Sequence, residues 1–359
     1  MSLHFHPLKV KDVRRETPEC VSIAFDIPAE LQEQFLYKHG QYLTLRIKIK
    51  GEDVRRSYSV CSSPLDKELR IAVKKFDEGL FSRYANEQLK KGDVVEAMPP
   101  IGKFFTELNE KNKKTYVGFA AGSGITPVLS IIKTTLLTEP QSQFTLVYGN
   151  RSRSSIIFKE ELEALKNKFI DRFRVIHILS REKMDAAINF GRIDNEKCES
   201  LFSKTIDVKH TDEFFLCGPE EMVLTLKNNL ERLGVDRKKV HFELFTSNSS
   251  KKQVVSSKKE HNPNEVKSKI TIKLDGAAFD FDLGFDSESI LDAALKQGAD
   301  LPFACKGGVC CTCRAKLIEG EVDMDVNYAL EPEEVEQGFI LTCQSHPRTE
   351  TVVIDYDSK

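Results

Sequence analysis

The chain has 359 residues, 40% hydrophobic and 30% charged, with a net charge of −2. That length leads us to expect two or three domains, and that composition supplies packed cores rather than disorder. The near-neutral charge excludes a strongly basic nucleic-acid binder, and no apolar run reaches the roughly 18 residues of a membrane-spanning helix. The start, Met1-Ser2-Leu3-His4-Phe5-His6, has no basic segment leading into an apolar stretch. We therefore expect no secretory signal and a cytoplasmic location.

Charge is unevenly spread. Residues 267–359 carry 9 Lys and Arg against 18 Asp and Glu, a net of −9. The remaining 266 residues carry 44 against 37, a net of +7. An acidic C-terminal module is joined to a basic body, and such a module can steer toward a basic partner.

Taken in chain order, residues 1–108 read as an antiparallel β-barrel. Leu43-Thr44-Leu45-Arg46-Ile47-Lys48-Ile49 alternates apolar and polar, as a half-buried strand does. Lys50-Gly51-Glu52-Asp53 predicts a turn into a strand near Val54–Val60. Residues 113–247 change character. Apolar runs at Tyr116–Ala121, Phe144–Tyr148, Val175–Leu179 and Phe214–Cys217 alternate with helical patterns at Val128–Leu137, Phe158–Lys168 and Glu220–Leu233. Alternation of this kind predicts an α/β domain with a doubly wound parallel sheet. Residues 248–266 are rich in Ser, Lys and Asn without apolar period, and predict a flexible linker. Strands resume at Ile270–Leu274, with Asp275-Gly276 as a hairpin signal. Ser289 is placed to cap a helix reaching Gln297. Residues 267–359 thus form a third, α+β module ending on a strand at Thr351–Asp355. No internal repeat is visible.

Nine cysteines in a chain with no export signal argue against a disulfide scaffold. Cys20, Cys61, Cys198 and Cys217 stand singly. The other five crowd into the last 55 residues, and such crowding points to a metal. Cys305, Cys310 and Cys313 have C-x₄-C-x₂-C spacing, and 29 residues separate Cys313 from Cys343. This is the plant-type [2Fe–2S] pattern. Gly307 and Gly308 let the backbone wrap closely, so that its N–H groups can face the sulfurs. The alternative is zinc, which usually takes two C-x₂-C knuckles where only one is present. Cys311 is either a bystander or a replacement for Cys310 as ligand.

Two short motifs could hold a flavin. In Arg56-Ser57-Tyr58-Ser59, strand alternation puts Arg56 and Tyr58 on one face. A guanidinium there can neutralise a diphosphate and a ring can stack on an isoalloxazine. Gly79-Leu80-Phe81-Ser82 could open a helix whose free N–H groups bind phosphate. Taken alone, each reads equally as an ordinary strand or a capped turn. Further on, the strand at Tyr116–Ala121 runs into Gly122-Ser123-Gly124-Ile125-Thr126-Pro127 and a helix, the context a dinucleotide needs. Pro127 suits a first helical turn, although it replaces the last glycine of the usual fingerprint. Arg151 and Arg153 after the next strand, and Ser180 and Arg181 after the third, are what an adenosine 2′-phosphate requires. With no acidic residue between Tyr148 and Ser155, NADPH is favoured over NADH; solvated arginines are the plain alternative.

Together these motifs resemble the ferredoxin–NADP reductase superfamily over nearly the whole chain: an FAD barrel, an NAD(P) domain and a C-terminal β-grasp ferredoxin. The resemblance implies Arg56 on the pyrophosphate, Tyr58 on the flavin ring, and Gly79 to Ser82 on phosphate, with Ser57, Ser59, Val73 and Lys74 also at the cofactor. It implies Gly122, Ser123, Gly124, Thr126 and Pro127 as the nucleotide loop, Ser180 and Arg181 as the 2′-phosphate pair, and Cys217-Gly218-Pro219 beside the nicotinamide. Glu243 and Phe245 look like the family's terminal acid and aromatic. On this footing Ser59, Cys217 and Glu243 line the hydride-transfer site, and Cys305, Cys310, Cys313 and Cys343 hold the cluster. The module order and the string Cys305–Lys316 are similar to reductase components of phenylacetyl-CoA epoxidase systems. They imply electron flow from NADPH through FAD and the cluster to an oxygenase, one with a di-iron centre, without nucleic-acid or membrane partners. The alternatives are a stand-alone reductase, the reductase of another oxygenase, and a redox sensor that does not turn over.

Overall fold

A computed structural model describes residues 4–245 and 266–358. The stretch expected as a linker lies, up to residue 265, outside the described residues. The chain falls into two compact units. The larger runs from Phe5 to Phe245 apart from Arg55–Ser57, and the smaller carries the C-terminal module.

The larger unit opens with an antiparallel barrel of β1 (His6–Thr17), β2 (Cys20–Asp26), β3 (Tyr42–Ile49), β4 (Glu52–Ser59), β5 (Leu69–Lys74) and β6 (Val94–Ala97). Their order is β4-β3-β6-β1-β2-β5. The isolated antiparallel bridge between Val60 and Ile71 joins the two ends, so the sheet closes on itself. Lys50 and Gly51 both have positive φ, at 52° and 85°, which makes the β3–β4 connection a two-residue left-handed turn. The helix expected after Gly79 is α1 (Leu80–Glu87). Its Phe81 is buried with Leu8, Ile23, Leu43, Leu45 and Ile71 in the barrel core.

The second half is a parallel sheet of β7 (Thr115–Ala121), β8 (Gln143–Asn150), β9 (Phe173–Leu179), β10 (Glu213–Gly218) and β11 (Val240–Leu244). The helices between are α2 (Ile125–Thr138), α3 (Lys159–Lys168), α4 (Asn195–Lys204) and α5 (Glu220–Arg232). The order β11-β10-β7-β8-β9 reverses direction between β7 and β10. In doubly wound sheets ligands enter at that reversal, outside the C-terminal strand ends. Helix α4 has no counterpart among the helices expected from the sequence. Only Cys198 and Leu201 of it are buried, too few to mark a period, and it is set by tertiary packing and the Asp194 cap on Lys197 N–H.

The smaller unit holds β12 (Lys267–Leu274), β13 (Ala277–Gly284), α6 (Ile290–Lys296), β14 (Arg314–Glu319), β15 (Val322–Met324), α7 (Pro332–Glu336), β16 (Phe339–Leu341), β17 (Ser345–Pro347) and β18 (Thr351–Asp355). The main sheet runs β13-β12-β18-β14-β16, with β12 and β18 parallel. Asp275 and Gly276 form the expected hairpin with φ of 52° and 75°. Ser289 caps α6 by accepting from Asp292 N–H at 3.3 Å. Ile290, Leu291 and Ala294 of that helix pack into the core with Ile270, Ile272, Val352 and Ile354.

One glycine fixes how the barrel meets the connection to the parallel sheet. Gly40 has φ +84°, and a Cβ there would lie 1.8 Å from the Phe104 carbonyl oxygen. Gly40→Ala should therefore lose about 1–3 kcal/mol of stability, seen as a fall in the thermal unfolding midpoint of the full chain. An unchanged midpoint would show that this approach is not a fixed part of the fold.

Candidate functional site

The reversal point of the parallel sheet is crowded with backbone. The turn Gly122–Gly124 follows β7 directly and α2 begins at Ile125. A Cβ on Gly124 would sit 2.2 Å from the Cys217 carbonyl oxygen, so no side chain fits there. Gly122 has φ +54°, and its carbonyl accepts a 2.9 Å hydrogen bond from the buried Tyr148 hydroxyl. Thr126 Oγ1 donates to Ser123 O at 3.0 Å. Gly218 has φ +156°, and a Cβ on it would press on Met222 and Ala121. The C-terminal ends of β7 and β10 thus leave bare peptide beside the start of a 14-residue helix, a surface suited to a diphosphate.

Parallel pairing sets Cys217 against Glu243 on β11. From the barrel, Ser59 Oγ donates to Glu243 Oε2 at 3.2 Å. Three residues far apart in sequence meet where β4 ends against the sheet. Burial pushes the Glu243 carboxyl up to about 7, with the Ser59 hydrogen bond opposing. Burial, with Glu243 beside it, raises the Cys217 thiol well above its ordinary value, so it stays neutral. Phe245 N–H donates to Gly218 O at 3.1 Å, which holds this half-buried ring at the same strand ends.

The barrel supplies the aromatic side. Arg56, Ser57 and Tyr58 are partly open, while Ser59 is buried. The Tyr58 ring lies 5.2 Å from the buried Phe81 ring, tilted by 35°. Ser82 Oγ accepts from Phe76 N–H at 3.1 Å and donates to Gly79 O at 3.2 Å. Ser82 therefore shapes the loop, while the first N–H groups of α1 lack helical partners. Leu80 is exposed at that start. Val73 is buried in β5, and burial together with Arg151 depresses the Lys74 ammonium.

At the outer edge, Ser180 N–H reaches Asn150 O at 2.9 Å and Arg181 N–H reaches Arg151 O at 2.8 Å. This brings the predicted cations together past β8 and β9. Arg153 is engaged: Glu182 accepts from its backbone N–H at 2.8 Å and pairs with its guanidinium at 3.3 Å. No acid lies in the Tyr148–Ser155 stretch, yet one arrives from the next strand end. Sequence reading also passed over Asn150 and Tyr148. Asn150 is buried at the end of β8, its side-chain amide beside the Tyr148 hydroxyl.

In the smaller unit the four expected thiols stand as two pairs. Cys310 Sγ lies 3.1 Å from Cys305 Sγ, and Cys313 hydrogen-bonds Cys343. Among the described residues no three His, Cys, Asp or Glu side chains converge on a single ion position. Four cysteine thiolates are the ligand complement of a [2Fe–2S] cluster. Gly307 N–H donates to Cys305 Sγ at 3.3 Å. The Cys310 thiol, followed by the N–H groups of Gly307, Val309 and Cys310, holds Cys305 toward thiolate. Cys313, followed by Gln344 and the Gly308 N–H, does the same for Cys343. Such a cradle suits anionic sulfur on iron. Cys311 turns elsewhere, with its thiol 3.3 Å from Ala329 O.

The fold and these sites define a flavin- and nicotinamide-dependent iron–sulfur oxidoreductase. Three family models match: an oxidoreductase FAD-binding domain over residues 7–106, an oxidoreductase NAD-binding domain over 119–228, and a 2Fe-2S iron-sulfur cluster binding domain over 272–348. The chain is 44% identical to a component of the 1,2-phenylacetyl-CoA epoxidase of Escherichia coli K12, across 99% of this chain and 98% of that one. It is 34% identical to the ferredoxin reductase component of 3-ketosteroid-9-alpha-monooxygenase from Rhodococcus rhodochrous, across 97% and 96%. Phthalate dioxygenase reductase has a similar fold, with a TM-score of 0.59 and 23% identity over 98% of both chains. The chain belongs to the ferredoxin–NADP reductase superfamily, in the branch with a C-terminal [2Fe–2S] domain. It is an oxidoreductase that uses FAD, NAD(P)H and a [2Fe–2S] cluster. Among the described residues no helix is long and apolar enough to cross a membrane.

Two variants probe the junction. Gly124→Ala, whose methyl would meet the Cys217 carbonyl, should lower the thermal midpoint and raise the KM for NAD(P)H about tenfold or more; an unchanged KM would place the nucleotide elsewhere. Glu243→Gln tests the raised acid. The native carboxyl stays protonated up to about pH 7, against an ordinary value of 4.5, so wild-type stability falls as pH climbs through that window. Thermal midpoints measured across that range should lose this slope in the variant, and parallel curves would refute the assignment.

Proposed function

We propose that this chain is the reductase component of an oxygenase system, namely a phenylacetyl-CoA epoxidase with a di-iron oxygenase, working in the cytoplasm with NADPH as donor. The observation carrying this reading is the meeting of Ser59, Cys217 and Glu243 at the sheet reversal. Bound FAD would convert the two-electron hydride of NADPH into single electrons for the cluster.

The chain's own residues position and polarise. Gly124 and Gly218 admit the nucleotide backbone, and Arg151, Ser180 and Arg181 receive the adenosine phosphate, with Ser123, Thr126, Pro127 and Pro219 shaping the loops. Arg56 and the α1 start, from Gly79 to Ser82, take the flavin pyrophosphate. Tyr58, backed by Phe81, and Phe245 offer ring faces. Ser57, Val73 and Lys74 border the same cofactor. Glu243 can hold a proton near neutral pH and return it through its bond to Ser59 Oγ. Cys217, kept neutral, adds no charge beside the nicotinamide. Cys305, Cys310, Cys313 and Cys343 hold the irons. The 44% identity to an epoxidase component along the full chain supports the partner.

The test is steady-state turnover with NADPH or NADH and a purified phenylacetyl-CoA oxygenase complex. Substrate-dependent oxidation of NADPH with epoxide formation is expected. Reductase activity on ferricyanide without any product would overturn the partner assignment. Cys343→Ser should abolish cytochrome c reduction and spare ferricyanide reduction; survival of both would overturn the electron path.

A further inference from the structure

Beside the cysteine loop lies a buried amide that no motif singled out. Gln344 is 8% exposed. Its Nε2 donates to Lys306 O at 3.1 Å and to Cys343 O at 2.9 Å. The same nitrogen stands 3.5 Å from Cys343 Sγ. A primary amide has two protons. One serves the Lys306 carbonyl, and the other is shared between the carbonyl and sulfur of Cys343, a three-centre arrangement.

The surroundings are built for this pose. The Gln344 backbone is fixed on both sides: its N–H donates to Leu341 O and its carbonyl accepts from Asp325 N–H, both at 2.9 Å. Gly308 lies against the side chain. A Cβ on Gly308 would come within 3.3 Å of Gln344 Cγ and 2.9 Å of Val326. The second glycine of the loop thus makes room for the amide as well as turning the chain. Lys306 itself has φ +50°, and its carbonyl is fastened by the amide.

We propose that Gln344 is a positioning residue of the iron–sulfur centre, fastening Cys343 to the 305–308 loop and donating to its sulfur so as to raise the centre's reduction potential. This rests on Cys343 being an iron ligand. An N–H aimed at a ligating sulfur favours the more negative, reduced state. Burial strengthens the effect, because little water competes for the sulfur. The same proton bonds tie the two parts of the ligand set, which are far apart in sequence, into one frame.

The experiment is a spectroscopic redox titration of the full-length holoprotein. Gln344→Met keeps the length and removes the donor. The centre's share of the electron should fall about tenfold at a given poise, equivalent to about 59 mV for a one-electron couple. Gln344→Glu keeps the shape and adds charge, and should lie lower still. A cluster-loaded Met variant with the wild-type potential overturns the proposal, as does a Glu variant at or above it. If neither variant retains iron, side-chain ¹⁵N-glutamine labelling of the wild type decides. Coupling of that nitrogen to the reduced centre is expected, and its absence overturns the donor role. Cys343→Ser separates the two claims. Retained iron with a wild-type spectrum would sink the ligand set itself, whereas lost iron with an unmoved Gln344→Met potential would sink only the role of Gln344.

Discussion

The larger unit depends on one close approach between two stretches of backbone. Gly124 stands so near the Cys217 carbonyl that a methyl group would overlap it. Because the turn after β7 can nestle against the end of β10, the helix start and the bare Gly218 peptide share one crevice. Because β10 pairs with β11 in register, Cys217 has Glu243 as its neighbour. The barrel then has only to deliver Ser59 to that carboxyl. Binding surface, acid and hydroxyl all follow from a single absent side chain at the reversal of the sheet.

The acid and the cysteine pairs show two ways of handling charge. Glu243 is pushed toward its neutral form because it is crowded and has one modest donor. The thiols at 305 and 343 are pulled toward their charged form by converging N–H groups and partner thiols. For Glu243 burial outweighs its single donor, whereas for Cys305 and Cys343 the hydrogen bonds outweigh burial. Within each cysteine pair the charge is divided: Cys305 and Cys343 are drawn toward thiolate, while the hydrogen bond to the partner thiol and burial raise Cys310 and Cys313.

Much of this was readable beforehand, for identifiable reasons. The three-module fold class followed from periodicity that local spacing carries: alternation in β3, strand–helix repeats from β7 to α5, and turns at Lys50-Gly51 and Asp275-Gly276. The clustered cysteines announced iron because their spacing is short-range. What spacing could not give was partnership. The spacing favours Cys310 over Cys311 but leaves Cys311 as an alternative that the 3.1 Å approach of Cys310 to Cys305 removes, and nothing in the sequence says that Glu182 returns to Arg153 from the following strand. Tyr148 and Asn150 looked like ordinary strand residues, and their roles at Gly122 and the strand end appear only with the loop in place. Helix α4 left too few apolar positions to be counted.

The Arg153–Glu182 pair has a consequence for coenzyme choice. A guanidinium already holding a carboxylate is not an empty socket. An incoming dianion must exchange places with that carboxylate, while an uncharged ribose can leave the pair intact and still hydrogen-bond to its rim. Under the proposed coenzyme site, Glu182 and the incoming phosphate compete for Arg153, one of three arginines at this edge, and that contest shifts with ionic strength, which weakens exposed pairs and bound dianions to different degrees.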